Sequence, residues 1–193
     1  METVRSIRAV ALVCVVGTAL AALYAATAAV TAWVPSYGFV VQALIHCAEL
    51  AGLIGLALSG AAGAGLLGRI GLGGAGLGQV LLVAAELIYP GSPDVGDQLF
   101  AVAPLLSAVG MVLAGVAVLR AGHWTGWRRT APLLVGLWSI VVLTPAIIIS
   151  GGPPAPAALW AIAGWELTWL LLGVAVLTGT GATARIKEAR ASA

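Results

Sequence analysis

Long apolar stretches broken by short clusters of glycine, proline and polar residues repeat along this chain. The stretches cover approximately residues 9–33, 39–67, 70–89, 99–119, 131–150 and 157–177. Each holds about 20 residues or more, enough at a helical rise of about 1.5 Å to cross a hydrocarbon core of about 30 Å. The apolar positions run on without alternation, so the period-two signature of a barrel strand is missing. Backbone groups in lipid must be satisfied within the segment, and helices follow. Turn-forming clusters at 35–38, 90–94 and 151–156 separate successive stretches. The predicted fold is all-α, a single transmembrane domain of six helices spanning residues 1–193.

Composition sharpens this picture. The chain is 61% hydrophobic and 8% charged, against roughly 25% charged residues in soluble domains. The first apolar run, of about 25 residues, exceeds the roughly 7–15 of a signal-peptide core, which predicts a retained signal-anchor helix. The net charge is +2 with no basic run, so a nucleic-acid partner is not expected. The basic residues have a different meaning. Arg5 and Arg8 precede helix 1, Arg69 lies between helices 2 and 3, and Arg120, Arg128 and Arg129 lie between 4 and 5. Arg185, Lys187 and Arg190 follow helix 6. All nine fall on one side of a six-helix ladder, and the opposite side carries Asp94 and Asp97. The positive-inside rule then predicts a protein of the cell membrane with both termini cytoplasmic. Trp33, Tyr37, Phe39, Tyr89 and Phe100 are expected at the outer interface, and Trp124 and Trp127 at the inner one.

Cys14 and Cys47 sit in neighbouring spans at depths roughly 10 Å apart. A disulfide needs Cα atoms within about 7 Å, so both are expected to be small buried hydrophobes. Helices 2 and 3 are dense in small residues, which permit close helix approach in lipid. Gly71, Gly73 and Gly76 formally match a G-x-G-x-x-G spacing, but no strand precedes them, which excludes a dinucleotide fingerprint.

The chemistry is confined to Glu49, Glu86 and Glu166, each inside an apolar stretch. An ionisable residue in the membrane is a functional-site candidate because placing it there is costly. Gln42, His46 and Glu49 are spaced i, i+4, i+7 and share a helix face. Gln79 and Glu86 are seven apart on the next helix. On the sixth, Trp160, Trp165 and Trp169 surround Glu166, with Trp165 and Trp169 as i, i+4 neighbours. Trp138 of the fifth helix and Tyr89 at the outer end of the third complete an aromatic lining suited to an apolar or lipidic substrate. These residues fall in the outer half of the predicted bundle, where no lysine or arginine pairs with the acids. At least one glutamate is therefore expected to be a neutral acid at neutral pH. His46 and Glu49 supply only two metal ligands, and the other histidine, His123, falls in a loop, so neither metal nor cofactor is expected.

Glu49 in Cys47-Ala48-Glu49-Leu50 and Glu166 in Gly164-Trp165-Glu166-Leu167 give the chain a loose similarity to the small membrane-integral terpene cyclases of fungal and actinobacterial meroterpenoid pathways. Its composition also resembles many actinobacterial integral-membrane proteins. The cyclase resemblance implies acid-initiated cyclisation of a prenyl substrate, with Glu49, Glu166, His46 and Glu86 as the acidic machinery and indole faces stabilising a carbocation. The chain departs from the fungal members in having six helices instead of seven. Two other readings stay open: a six-helix transporter or solute-capture subunit, and an accessory protein whose glutamates pair with a partner helix. The sequence does not fix the oligomeric state.

Overall fold

The computed structural model describes the backbone of residues 2–191 and the side chains of residues 4–179. The side chains of Arg185, Lys187 and Arg190, which enter the charge count above, lie outside the described residues. Among the described residues the structure is helical throughout, and six segments are long and apolar enough to cross a membrane. They are Val4–Thr31 of α1 (Glu2–Thr31), α2 (Gly38–Ser59), α3 (Leu66–Ile88), α4 (Pro93–Ala121), a broken fifth span (Gly126–Ser150) and Pro156–Gly179 of α7 (Pro156–Ala191).

The fifth span is interrupted for a local reason. Pro145 has no N–H to donate and cannot continue an α-helical ladder. α5 (Ala131–Trp138) passes through a π turn at Ser139–Leu143 before α6 (Thr144–Ser150). The Ser139 carbonyl accepts both the Thr144 N–H and, at 2.8 Å, the Thr144 hydroxyl, which ties the π turn to the start of α6.

The boundary between helices 2 and 3 differs from the expectation. The apolar run continues to residue 67, yet α2 ends at Ser59. Gly60 and Gly63 adopt φ of +68° and +69°, a left-handed conformation that glycine takes without steric cost. The segment is made of alanine and glycine, so hydropathy carries no mark of the turn. Arg69 consequently lies in the first turn of α3 instead of in the loop before it.

The six spans form a closed ring. α1 packs along α2 and α7, α3 along α2 and α4, and α5 against α4 and α7, while α2 also meets α7 directly. In lipid no hydrophobic drive pushes helices together, so close approach of backbones matters more. Glycines provide it. A Cβ on Gly78 would lie 2.5 Å from the Ser107 nitrogen, and one on Gly71 would strike the backbone of Ala114, so α3 and α4 touch backbone to backbone. Gly17 against Ala48, and Gly52 and Gly173 against Cys14, do the same for α1, α2 and α7.

One end of the ring carries the exposed Arg69, Arg120 and Arg129 and is called the arginine end. There His123 Nδ1–H donates to the Gly60 carbonyl at 2.9 Å, and Arg128 donates to the Thr178 carbonyl at 2.8 Å. The other, the aspartate end, carries Asp94 and Asp97, with Trp33, Tyr37 and Tyr89 exposed around it. Two expectations need correction. Trp124 is packed inside the arginine end against Gly179 instead of lying in an interfacial belt. Cys47 points out of the bundle, and only Cys14 is buried; both are free thiols.

Candidate functional site

Glu49 and Glu166 lie near the middle of their spans, where α2 and α7 meet in the ring. They are 0% and 2% exposed. Their carboxyl groups approach each other closely, and a hydrogen bond between two carboxyls forms only when one of them carries a proton. The Gln79 amide of α3 approaches Glu49 as well. Gln79 is held by its own neighbour: Nε2 donates to Ser107 Oγ at 3.1 Å, a contact made possible by the missing side chain of Gly78 one residue away. From α1, the Cys14 thiol lies against this layer and makes a long contact of 3.5 Å to the Trp169 carbonyl.

One turn toward the aspartate end stands His46, also buried. Its Nδ1 lies 2.7 Å from Glu49 Oε2 and its Nε2 lies 4.0 Å from Glu86 Oε1. The helix spacing alone brings His46 and Glu49 together; α3 brings Glu86. The Glu86 side chain is 15% exposed, two residues before α3 ends at Ile88. Glu86 is thus the member of the acid set nearest the surface. Tyr24 of α1, whose hydroxyl is buried without a partner, lies within electrostatic reach of Glu86.

The aromatic expectation holds for part of α7 only. Trp165 and Trp169 are buried, pack edge to face at 6.2 Å between ring centroids, and Trp165 also lies 6.2 Å from the His46 ring. Trp138 contributes differently: its Nε1–H donates to the Ala161 carbonyl at 3.0 Å, and its ring fills the space left by Gly164. Trp160 does not join the cluster. It is 53% exposed, because nine residues separate it from Trp169, about two and a half turns, which places the two on opposite faces. Tyr89 also stays outside, packing edge to face on Phe100 at 5.9 Å near the surface. Gln42 is half-buried about one turn beyond His46.

Five buried side-chain atoms in this layer have no hydrogen-bond partner: Glu49 Oε1, Gln79 Oε1, Glu166 Oε2, Trp165 Nε1 and Trp169 Nε1. Buried polar atoms are normally paired, and each exception calls for an explanation. Here donors and acceptors are stranded within one layer of one bundle. Ser107 was passed over by sequence reasoning, which noted Gln79 only for sharing a face with Glu86. Their signal is that each is polar amid the glycines and alanines of an otherwise apolar helix. For a metal, His46 and Glu49 offer two donors, and among the described residues no third His, Cys, Asp or Glu is placed to complete a set.

Two open cavities lie at the surface of the bundle, and neither is lined by Glu49 or Glu166. A groove of about 280 Å³ opens between α1 and α2, lined by Gly17, Tyr24, Leu44 and Ile45 among others. A recess of about 590 Å³ lies at the arginine end around Gly63 and His123. Comparison of the chain with protein-family models, with curated proteins and with solved structures gives no match.

Proposed function

We propose that this is a multi-pass protein of the cell membrane, with the arginine end cytoplasmic, that works by loading and unloading a proton on the Glu49–Glu166 pair. The role that suits such a centre is proton-coupled transport of a solute. The observation that carries this reading is the pair itself: two buried carboxyls in mutual reach, with no lysine or arginine beside them among the described residues. Two adjacent carboxylates in a medium of low dielectric repel strongly, and sharing a proton removes the repulsion. Exchange of that proton changes the charge at the α2–α7 contact by one unit. A one-unit change there alters how two packed helices sit together, which is what coupling proton binding to movement needs.

The test is infrared spectroscopy of the protein in lipid. The wild type is expected to show the C=O stretch of a buried protonated carboxyl at neutral pH, and Glu49→Gln and Glu166→Gln are each expected to remove or shift it. A spectrum with only ionised carboxylate bands would overturn the proposal.

One observation favours acid-initiated cyclisation as a second reading: Trp165 and Trp169 stand beside Glu166 as a cation-stabilising face would. It ranks lower because the described cavities do not include the acids, and a prenyl chain needs room next to its proton donor. Incubation of membranes with farnesylated or epoxidised substrates separates the readings. Cyclised product from wild type but not from Glu166→Gln would favour the enzyme; no product from either would leave proton coupling as the reading.

A further inference from the structure

We infer that Glu86 and His46 form a one-sided route by which protons reach the Glu49–Glu166 pair from the aspartate end of the bundle. The inference rests on the reading of that pair as a proton-loading centre and adds the path and its direction.

The geometry runs from the surface inward. Glu86 is partly exposed near the end of α3, His46 is buried, and Glu49 is fully buried at mid-span. The imidazole stands between the two carboxyls with a different nitrogen toward each: Nε2 at 4.0 Å from Glu86 and Nδ1 at 2.7 Å from Glu49. The shorter contact is a hydrogen bond. The longer one is bridged by a rotamer change of Glu86, which the open surface beside it permits, or by one water. Toward the arginine end the path stops. Leu53 and Leu56 of α2 and Leu172 and Val176 of α7 are buried there, and the Thr168 hydroxyl is committed to the Trp165 carbonyl at 2.6 Å.

The groups facing His46 are consistent with a relay. α2 supplies Glu49, α3 supplies Glu86 and α7 supplies the Trp165 ring; one step further out, Glu166 of α7 and Cys14 of α1 lie beside Glu49, and Tyr24 of α1 lies within electrostatic reach of Glu86. The described arginines are at the arginine end, and none faces the imidazole. A proton moves as follows. Glu86 takes up a proton from outside. Its O–H passes that proton to Nε2 while the Nδ1 proton passes to the Glu49 carboxylate. Glu86 is left ionised, Glu49 becomes neutral, and the imidazole stays neutral with its proton on Nε2. The reverse transfer, from Glu49 to Nδ1 and from Nε2 to the Glu86 carboxylate, unloads the pair by the same route and returns the imidazole to its Nδ1–H tautomer. Net charge is conserved at each step.

Hydrogen–deuterium exchange of the pair tests this. Protein reconstituted in lipid is transferred to D₂O, and the isotope shift of the buried carboxyl band is followed in time. Glu86→Gln and His46→Gln are expected to keep the band and slow its shift by on the order of 10²-fold, the scale of a lost acid–base group. Glu86→Asp, which keeps a carboxyl, is expected to exchange close to the wild-type rate. Exchange of Glu86→Gln at the wild-type rate would overturn the route while leaving the pair intact as a centre. A wild type without the band would overturn the pair as a proton-loading centre, and the route with it. The two failures are distinguished by whether the band is present.

Discussion

Glu166 is the residue at which function and stability pull apart. It sits in the layer with five stranded polar atoms, and each unsatisfied buried group costs about 1–3 kcal/mol. A bundle optimised only for packing would carry leucine there. Glu166→Leu is therefore expected to leave the protein as stable as the wild type or up to about 2 kcal/mol more stable, since replacing buried charged groups by apolar ones of similar volume is often neutral or favourable. Thermal unfolding in detergent measures this. A loss of several kcal/mol would mean that the acid holds the helices together. Part of this layer is legible in the sequence. His46 and Glu49 lie three apart on one helix, so their meeting follows from helix geometry alone. The meeting of Glu49 with Glu166, and of Gln79 with Ser107, depends on which helices are neighbours, and spacing along the chain does not encode that. The same blindness promoted Trp160, whose position in the sequence beside Trp165 hides its opposite orientation.

Glycine makes the contrast at the level of elements. Gly78 and Gly73 lie in the same helix, five residues apart, and read alike in the sequence. A Cβ on Gly78 would lie 2.5 Å from the Ser107 nitrogen and 2.8 Å from the Ala103 carbonyl oxygen, whereas one on Gly73 meets nothing within 4 Å. Gly78→Ala is expected to force α3 away from α4 and to cost about 1–3 kcal/mol, as overpacking of a tight contact does. It should also disturb the hydrogen bond of Gln79 to Ser107, and through it the position of Glu49. Gly73→Ala is expected to be neutral or to stabilise by about 0.5–1 kcal/mol through helix propensity. Equal effects of the two substitutions on the unfolding midpoint would contradict the backbone contact between α3 and α4. The density of small residues announces close packing of α2 and α3, but the partner of the α3 stripe is α4, which the composition does not name. The turn after Ser59 was hidden for a related reason: alanine and glycine are apolar enough to extend a hydrophobic run and flexible enough to end it. Proline and polar clusters at the other helix ends leave no such ambiguity, so the number of spans and most of their limits could be read directly.

For the whole molecule the decisive variable is orientation, because a proton route that opens at one end acquires a meaning only once the sides are assigned. The charge distribution argues for the arginine end inside: the described arginines cluster there, while Asp94 and Asp97 lie opposite. The Arg128 bond to Thr178 and the His123 bond to Gly60 tie the loops of that end to the helices they flank, so the arginines are fixed parts of one face. Asp94 and Arg129 are both exposed, and single cysteines at these positions report the two sides. Asp94→Cys is expected to react with a charged, membrane-impermeant thiol reagent applied to intact cells, and Arg129→Cys only after the cells are opened. The native thiols should stay silent, Cys14 because it is buried and Cys47 because it faces outward within a membrane-spanning helix. The opposite labelling pattern would invert the bundle. Glu86 would then open to the cytoplasm, and the same relay would collect protons from inside the cell. On the proposed proton-coupled reading, the chemistry of the Glu49–Glu166 pair would be unchanged but protons would enter it from the opposite side, so the labelling result decides which gradient that reading requires.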